Sequence, residues 1–347
     1  MRELTDKLYE TRNIEKSEFL YMLENRTEES DKYLFEKARK VSTSIFGNKV
    51  YIRGLIEFTN YCRNNCYYCG IRRDNMNAQR YRLEHDDILN CCDLGYKLGF
   101  RTFVLQGGED LYYDDEKICN IVRDIKKRYN DCAVTLSIGE KSFETYLKYY
   151  QAGADRYLLR HETAEKSHYS LLHPKQMSLE SRMECLYNLK KIGFQTGCGF
   201  MVGSPYQTNE SIAEDIMFIK DFKPHMVGIG PFISHKDTPF NNFENGNINV
   251  TLFLLSVIRL LLPNVLLPAT TALGTLDSNG REKGVLAGAN VLMPNLSPVN
   301  VRKKYSLYDN KICTGEEAAE CNICLRKRMK NIGYEIVEER GDYNEKA

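Results

Sequence analysis

The sequence predicts an α/β protein built on a (βα)8 TIM-type barrel, with an N-terminal helical extension and a C-terminal tail that carries cysteines. From Val50 onward, eight short apolar stretches alternate with amphipathic segments of helical periodicity. A glycine follows several of the helical segments, and glycine is the residue that most often ends a helix. We therefore expect residues 1–47 to form a helical cap, residues 48–295 the barrel, and residues 296–347 an extension.

The elements can be assigned in chain order from these patterns. Helices are predicted at residues 2–9, 16–24 and 31–45 of the polar N-terminal segment. The eight predicted strands are residues 51–58, 102–106, 133–137, 156–160, 195–201, 226–229, 265–268 and 289–293. The predicted helices between them are residues 86–98, 116–129, 143–151, 179–192, 211–222 and 251–261, with a short one at 281–286.

Composition and charge narrow the class of protein. The 347 residues carry a formal net charge of +1, which argues against nucleic acid or an anionic membrane as partner. The first seven residues mix charges and contain no apolar core, so we predict no signal peptide. The apolar segment 251–269 is interrupted by Arg259 and Pro263 and is predicted to be a buried helix followed by a strand. We expect a cytoplasmic protein whose 12 cysteines are thiols or metal ligands.

A cysteine motif follows the first predicted strand. Cys62, Cys66 and Cys69 have the spacing Cys-x3-Cys-x2-Cys. A [4Fe–4S] cubane normally takes four cysteine thiolates, so three of them leave one iron without a protein ligand. An open position is what a catalytic metal site needs. A small molecule with an amine and a carboxylate, such as S-adenosylmethionine (SAM), could chelate that iron.

Polar and glycine-rich residues follow other predicted strands, at the end of the barrel where active sites lie. They include Gln106-Gly107-Gly108-Glu109, Arg160-His161-Glu162 and Thr270-Thr271. Strand alternation puts Arg160 and Glu162 on one side and His161 on the other. A buried Arg160 needs an anionic partner, either a substrate carboxylate or Glu162. Arg182, near a predicted helix start, could bind an anion or be a solvated charge.

The tail contains a second cysteine triad. Cys313, Cys321 and Cys324 have the spacing Cys-x7-Cys-x2-Cys. These three residues could bind a second iron–sulfur cluster, [2Fe–2S] or [4Fe–4S], or zinc. Because the triad lies outside the predicted strands, we interpret it as an accessory site.

The cysteine loop, with an aromatic residue before its last cysteine and a glycine after it, resembles the radical-SAM superfamily. The match is closer still in residues 53–66, 157–163, 226–232 and 268–272, which resemble the [FeFe]-hydrogenase maturase HydE family. The resemblance covers residues 48–330. It implies a [4Fe–4S] cluster on Cys62, Cys66 and Cys69 that cleaves SAM to methionine and a 5′-deoxyadenosyl radical. The implied substrate is a cysteine-bound iron carbonyl cyanide unit, and the implied product feeds assembly of the two-iron subcluster of the H-cluster.

The same resemblance assigns roles to individual residues. Residues implied to contact the substrate are Thr135, Arg160, Met226, Thr270, Thr271, Tyr305 and Tyr308. Residues implied to contact SAM are Tyr68, Gln106, Gly107, Gly108, Glu109, Glu162, Arg182 and Met293. The implied partners are sister maturases and an electron donor, both bound transiently. Two positions depart from the family pattern: Tyr206 stands where glycine is usual, and Gly107 where serine is common.

Two other functions remain open from the sequence. One is a related radical-SAM isomerase such as methylornithine synthase, which shares the barrel and the cysteine loop. The other is a non-catalytic metal protein with iron–sulfur clusters or zinc in both triads. The second is disfavoured because a closed structural site should supply four ligands near the loop.

Overall fold

The computed structural model describes residues 1–315 and 318–345, and within them it forms fourteen α-helices and eleven β-strands. The strands are β1 (Lys49–Ile52), β2 (Gly54–Thr59), β3 (Thr102–Gly107), β4 (Ala133–Ser137), β5 (Arg156–Leu158), β6 (Gln195–Cys198), β7 (Met201–Val202), β8 (Met226–Val227), β9 (Gly230–Pro231), β10 (Val291–Leu292) and β11 (Glu335–Val337). The helices up to the fifth strand are α1 (Arg2–Thr11), α2 (Lys16–Glu24), α3 (Glu28–Phe46), α4 (His85–Lys97), α5 (Asp115–Arg128) and α6 (Phe143–Gln151). The later helices are α7 (Lys166–Leu172), α8 (Leu179–Ile192), α9 (Asn209–Phe222), α10 (Ile248–Leu261), α11 (Thr271–Leu276), α12 (Gly280–Leu286), α13 (Val299–Arg302) and α14 (Ala318–Asn331).

The predicted barrel is confirmed. Six strands form a parallel sheet in the order β2-β3-β4-β5-β6-β8. The segment 265–268 continues it through parallel bridges from Met226 to Leu266 and from Pro268 to Val291 of β10. A parallel bridge from Asn295 to Leu55 of β2 closes the ring. Eight parallel positions therefore surround one interior, and the carboxyl ends of all of them face the same way.

The predicted first strand is divided at Arg53. Its first half, β1, pairs with β10 on one side and β11 on the other, whereas its second half, β2, pairs with β3. The predicted fifth strand is likewise broken, at Gly199. This residue has φ +151°, and a Cβ there would lie 2.1 Å from the carbonyl oxygen of Gly228. Only glycine allows that close approach of two backbones.

The N-terminal helices pack onto the outer helices of the barrel. Helix α3 contacts α10, and α2 contacts α9. Leu8, Phe19 and Leu34 belong to the same hydrophobic core as the barrel helices. Helix α10 is buried from Thr251 to Leu261, as the apolar segment predicted. Among the described helices, we find none with the length and apolar character that crossing a bilayer requires.

The C-terminal tail closes the end of the barrel opposite the carboxyl ends of the strands, which we call the floor. Strand β11 pairs with β1, and residues 340–343, the floor segment, follow it. The fully buried guanidinium of Arg156 on β5 donates to the carbonyls of Arg340 and Gly341 and to the carboxylate of Asp342. Asp342 also accepts from Gln195 on β6, at 3.0 Å. The sequence patterns did not predict this closure.

Candidate active site

A cavity of about 360 Å³ lies inside the barrel at the carboxyl ends of the strands. Its lining includes most of the residues that the sequence selected. Those lining it are Cys62, Cys66, Tyr68, Cys69, Gln106, Gly107, Gly108, Glu109, Arg160, Glu162, Arg182, Thr270, Thr271, Met293, Tyr305 and Tyr308. Thr135 and Met226 are almost fully buried nearby but do not line the cavity. The tail cysteines also lie outside it.

The three loop cysteines face the cavity together. Burial raises the pKa of the Cys69 thiol to about 12 and that of Cys66 well above its usual range, and the neighbouring thiols of the triad add to both shifts. All three side chains line the same cavity. Three thiolates are the donor set that a [4Fe–4S] cubane takes when one of its irons is left without a protein ligand, so the residues on this wall fit such a cluster.

The loop that carries the cysteines is fastened to the barrel. The guanidinium of Arg80 donates to the carbonyls of Ile71 and Arg72, at 2.9 and 2.6 Å, and to that of Asn75. The Arg63 amide donates to the carbonyl of Glu109 at 3.0 Å. These bonds hold an irregular loop in one conformation, which a cluster site needs because it has little regular structure of its own.

The edge after β3 is shaped by close backbone approach and by ion pairs. A Cβ on Gly108 would lie 2.1 Å from the Tyr61 carbonyl oxygen, so this position requires glycine. The Glu109 carboxylate accepts from Arg63 Nε at 2.9 Å and from the amide of Glu140 at 3.0 Å. Glu140 in turn pairs with Arg182 Nε at 2.6 Å. The edge is therefore held by two ion pairs, Arg63–Glu109 and Arg182–Glu140, which are joined through the backbone amide of Glu140.

Arg182 is positioned by the start of α8. The side chain of Ser178 caps this helix by accepting from the Ser181 amide. Arg182 then reaches across the cavity wall, and its Nη1 donates to the carbonyl of Arg160 at 2.9 Å. Because its guanidinium already has a carboxylate and a carbonyl partner, Arg182 supports the neighbouring wall as well as facing the cavity.

Arg160 and Glu162 point into the cavity, and His161 points away, as strand alternation predicted. Arg160 Nη2 lies 3.1 Å from Glu162 Oε2, yet Arg160 Nε has no hydrogen-bond partner among the described residues. The sequence left two anionic partners open for Arg160, Glu162 or a substrate carboxylate. In the structure Arg160 pairs with Glu162, and its Nε remains available to a substrate. Glu162 has φ +68°, a left-handed conformation that is rare outside glycine.

His161 supports this corner from behind. Its ring is fully buried, and Nε2 lies 3.2 Å from Asp215 Oδ1. The Gly199 amide donates to Nδ1, and the Ala164 amide donates to Asp215 Oδ1. Burial lowers the pKa of His161 to about 3, so the imidazole is neutral at physiological pH. His161 does not line the cavity and supports the backbone behind it.

The opposite side of the cavity carries hydroxyl groups. Thr270 Oγ1 is buried and has no hydrogen-bond partner in the described structure. Thr271 also lines the cavity and begins α11, a helix that the sequence patterns did not predict. An unpartnered buried hydroxyl has a free energy cost that a bound polar ligand removes.

Two of the cavity residues that the sequence did not select are charged, Glu57 and Lys311. Glu57 is a single carboxylate within the apolar run of β2. Because a buried charge needs a partner, its position in such a run could have marked it as a site residue. Lys311 lies in an irregular segment with no pattern that could have selected it.

The tail cysteines occupy a separate region near α12. Cys321 and Cys324 lie on α14, and Cys313 lies in the loop before it. Arg281 Nη2 is 3.6 Å from Cys313 Sγ. Cys321 is buried and Cys324 is exposed. The assignment of a second metal site to these three cysteines stays a prediction.

The backbone conformation at Tyr206 explains why the family usually has glycine at this position. Its φ is +65°, the left-handed region in which glycine is favoured. The exposed ring packs edge-on against Phe243 at 5.2 Å between centroids. At the other departure, a Cβ on Gly107 would lie 2.8 Å from the Thr59 methyl group, so a serine here would require Thr59 to shift.

Comparison with known proteins places this geometry in a family. The Radical SAM superfamily model matches residues 56–219. The [FeFe] hydrogenase maturase subunit HydE of Thermotoga maritima is 46% identical over 300 residues, 86% of this chain and 85% of that protein. The 3-methylornithine synthase of Methanosarcina acetivorans is 28% identical, over 95% of this chain and 92% of that protein.

Solved structures show the same fold. Methylornithine synthase (PylB) superposes with a TM-score of 0.84 at 26% identity, covering 96% of this chain and 97% of that one. The maturase HydG superposes with a TM-score of 0.80 at 20% identity, covering 96% and 74%. The sequence match to HydE is the stronger evidence, because it combines high identity with coverage of most of both chains. The chain therefore belongs to the radical-SAM family of HydE-type [FeFe]-hydrogenase maturases.

Proposed function

We propose that this chain is a radical-SAM enzyme of [FeFe]-hydrogenase maturation that acts on a small iron-containing substrate inside its barrel. One observation carries the proposal: the thiols of Cys62, Cys66 and Cys69 line the same cavity as Arg160 and Thr270, and Arg160 Nε and Thr270 Oγ1 have no hydrogen-bond partner among the described residues. The cluster site and a site for an anionic molecule therefore share one chamber. The 46% identity to HydE supports the reaction class.

The cofactors of the radical-SAM family are a [4Fe–4S] cluster and SAM, and the loop thiols have the chemistry to hold the former. When bound, such a cluster supplies one electron to the sulfonium of SAM, which breaks the C5′–S bond and yields methionine and a 5′-deoxyadenosyl radical. The edge 106–109, Tyr68, Glu162, Arg182 and Met293 surround the space beside the cysteines and would orient SAM. Gly108 permits the closest backbone approach along that edge.

The substrate would lie deeper, between Arg160 and the two threonines. Arg160 Nε and Thr270 Oγ1 are donors without partners, and a carboxylate satisfies both. A cysteine-bound iron carbonyl cyanide unit carries such a carboxylate on its cysteine. Tyr305 and Tyr308 would cover the far side, whereas Thr135 and Met226 are buried and do not line the cavity. The enclosed barrel would keep a primary carbon radical from side reactions.

Partners and compartment follow from this reaction. The iron substrate implies delivery by a sister maturase and acceptance of the product by another, and SAM cleavage implies a one-electron donor. We propose that these contacts are transient and take place in the cytoplasm. The tail triad would be accessory to this chemistry, because it lies outside the cavity.

The test is anaerobic. The protein is reconstituted with iron and sulfide, reduced and given SAM, and 5′-deoxyadenosine is measured with and without a synthetic iron–cysteine carbonyl cyanide complex. Release that increases with the complex supports the proposal. If the amount of 5′-deoxyadenosine is the same with and without the complex, the protein is a radical-SAM enzyme but the proposed substrate is wrong. No release from a loaded cluster contradicts the proposal and favours a non-catalytic metal protein.

A second candidate function rests on the other relatives. The fold of methylornithine synthase covers nearly the whole chain, and 3-methylornithine synthase is 28% identical over 95% of it. The discriminating assay is detection of 3-methylornithine in the same reaction mixtures. Its formation would favour the isomerase over the maturase.

A further inference from the structure

One wall of the cavity is an irregular segment, residues 303–313, which we call the strap. It lies beside the cysteine loop and is hydrogen-bonded to it. The amide of Gly70, directly after the last cysteine, donates to the Leu307 carbonyl at 2.9 Å. Asn60 Nδ2 donates to the Lys304 carbonyl at 2.7 Å. The strap residues that line the cavity are Tyr305, Leu307, Tyr308 and Lys311.

The strap is joined to the barrel by a buried ion pair. The ammonium of Lys311 contacts Glu57 Oε1, and the two side chains are 9% and 1% exposed. Asn295 Nδ2 donates to the other carboxylate oxygen of Glu57 at 2.8 Å. Lys311 also donates to the carbonyl of Tyr305 at 3.0 Å. Both charges have lost most of their water, so each depends on the other for compensation.

The pair determines where Tyr305 lies. Besides the bond to its carbonyl, the Lys311 ammonium is 5.0 Å from the centroid of the Tyr305 ring. The Tyr305 hydroxyl accepts from Gln106 Nε2 at 3.3 Å, and the side chain is 2% exposed. Gln106 belongs to the edge proposed to orient SAM. A continuous line of contacts therefore runs from Glu57 through Lys311 and Tyr305 to that edge.

We propose that Glu57 and Lys311 are positioning residues that hold the strap and Tyr305 against the SAM edge, and so set the shape of the substrate side of the cavity. This role rests on the proposed function for its chemistry, but the positioning itself is a property of the folded chain. Loss of either charge leaves the other buried without its partner, and the strap is the part free to move because it has no regular secondary structure between α13 and Cys313.

The first experiment measures positioning without cluster or SAM. Hydrogen exchange is followed at the amides of Lys304, Tyr305 and Asp309, which are all hydrogen-bonded. We expect Lys311→Met and Glu57→Gln each to speed exchange at these amides at least about tenfold, because a buried unpaired charge is strongly unfavourable. The double variant contains neither charge, so its exchange rates at these amides should be closer to those of the wild type than the rates of Lys311→Met are. Lys303→Met, an exposed lysine on the same strap, is the matched control and should leave exchange unchanged.

The second experiment uses the reconstituted enzyme. With the iron–cysteine complex as substrate, Lys311→Met should raise KM for the complex about tenfold or more and increase the fraction of SAM cleaved without turnover, while the Kd for SAM stays within about twofold. The positioning role is overturned if exchange is unchanged in both single variants. It is also overturned if exchange in the double variant is accelerated by as much as the two single variants together. A wild-type enzyme that fails to cleave SAM would contradict the proposed function alone, since the exchange result does not depend on it.

Discussion

The floor segment provides a stability prediction with a definite pH dependence. Asp342 accepts from Arg156 Nη2 at 2.6 Å, from Gln195 Nε2 at 3.0 Å and from Arg340 Nε at 2.8 Å. Burial opposes ionisation of this carboxyl, but these bonds and the nearby guanidinium charges lower its pKa from 3.8 to about 2. The perturbation is Asp342→Asn, which keeps the size of the side chain and removes its charge.

The contribution of the Asp342 charge to the free energy of unfolding follows from that pKa. The difference between 3.8 and about 2 corresponds to roughly 2.4 kcal/mol, at about 1.36 kcal/mol per pH unit. The Asp342 side chain is 38% exposed, so solvent screening reduces the contribution, and we expect about 1 kcal/mol. Because the folded-state pKa is the lower one, this stability is present above about pH 4 and is lost as the pH falls through about 2.

The assay is urea unfolding of the cluster-free protein, followed by far-ultraviolet circular dichroism. The free energy of unfolding of Asp342→Asn should lie about 1 kcal/mol below the wild type at pH 7, and the gap should narrow below about pH 4. Glu339→Gln is the matched control. Within the described part of the chain this neighbouring carboxylate forms its ion pair with the half-exposed Lys49, so its loss should change stability by less than about 0.5 kcal/mol. A gap that is absent at pH 7, or that widens in acid, refutes the reasoning.

Three further predictions concern the two cysteine sites and the cavity. Cys66→Ala should abolish cluster assembly and SAM cleavage. Loss of the cluster is measured as loss of bound iron and of the reduced-cluster EPR signal, and normal 5′-deoxyadenosine formation would contradict the cluster assignment. Cys321→Ala should leave that EPR signal and SAM cleavage intact, and loss of all cleavage would show that the tail is more than accessory. Arg160→Ala should lower kcat/KM for the iron–cysteine complex by about 10- to 100-fold, the worth of one hydrogen bond to a charged group, with little change in SAM binding. Unchanged turnover would indicate that Arg160 only pairs with Glu162.

The barrel was predictable because its signals are local. Helix α8 begins after Ser178 and ends at Gly193, and both boundaries can be read from the sequence. Strand β4 has its predicted bounds for the same reason, since its apolar run is short and isolated. Period-two alternation predicted that Arg160 and Glu162 lie on one side and His161 on the other, and this holds although β5 itself ends at Leu158.

The parts that escaped prediction depend on contacts distant in sequence. Arg53 divides one predicted strand because β1 gains a partner, β11, from nearly 300 residues away along the chain. The seventh barrel position forms only isolated bridges, although residues 265–268 have a strand-like pattern. Lys311 faces the cavity because of its ion pair with Glu57, and no local pattern marks an irregular segment for such a role.

The order in which the floor is assembled has a consequence for biosynthesis. Residues 335–343, which pair with β1 and bind Arg156, are made after every other strand of the barrel. While the ribosome is still translating this region, the buried guanidinium of Arg156 lacks its carboxylate and carbonyl acceptors, and the barrel is open at one end. The floor can therefore close only after the other strands have been made, and a nascent chain that has already formed its cysteine loop still lacks the acceptors of Arg156 until residues 340–342 are available.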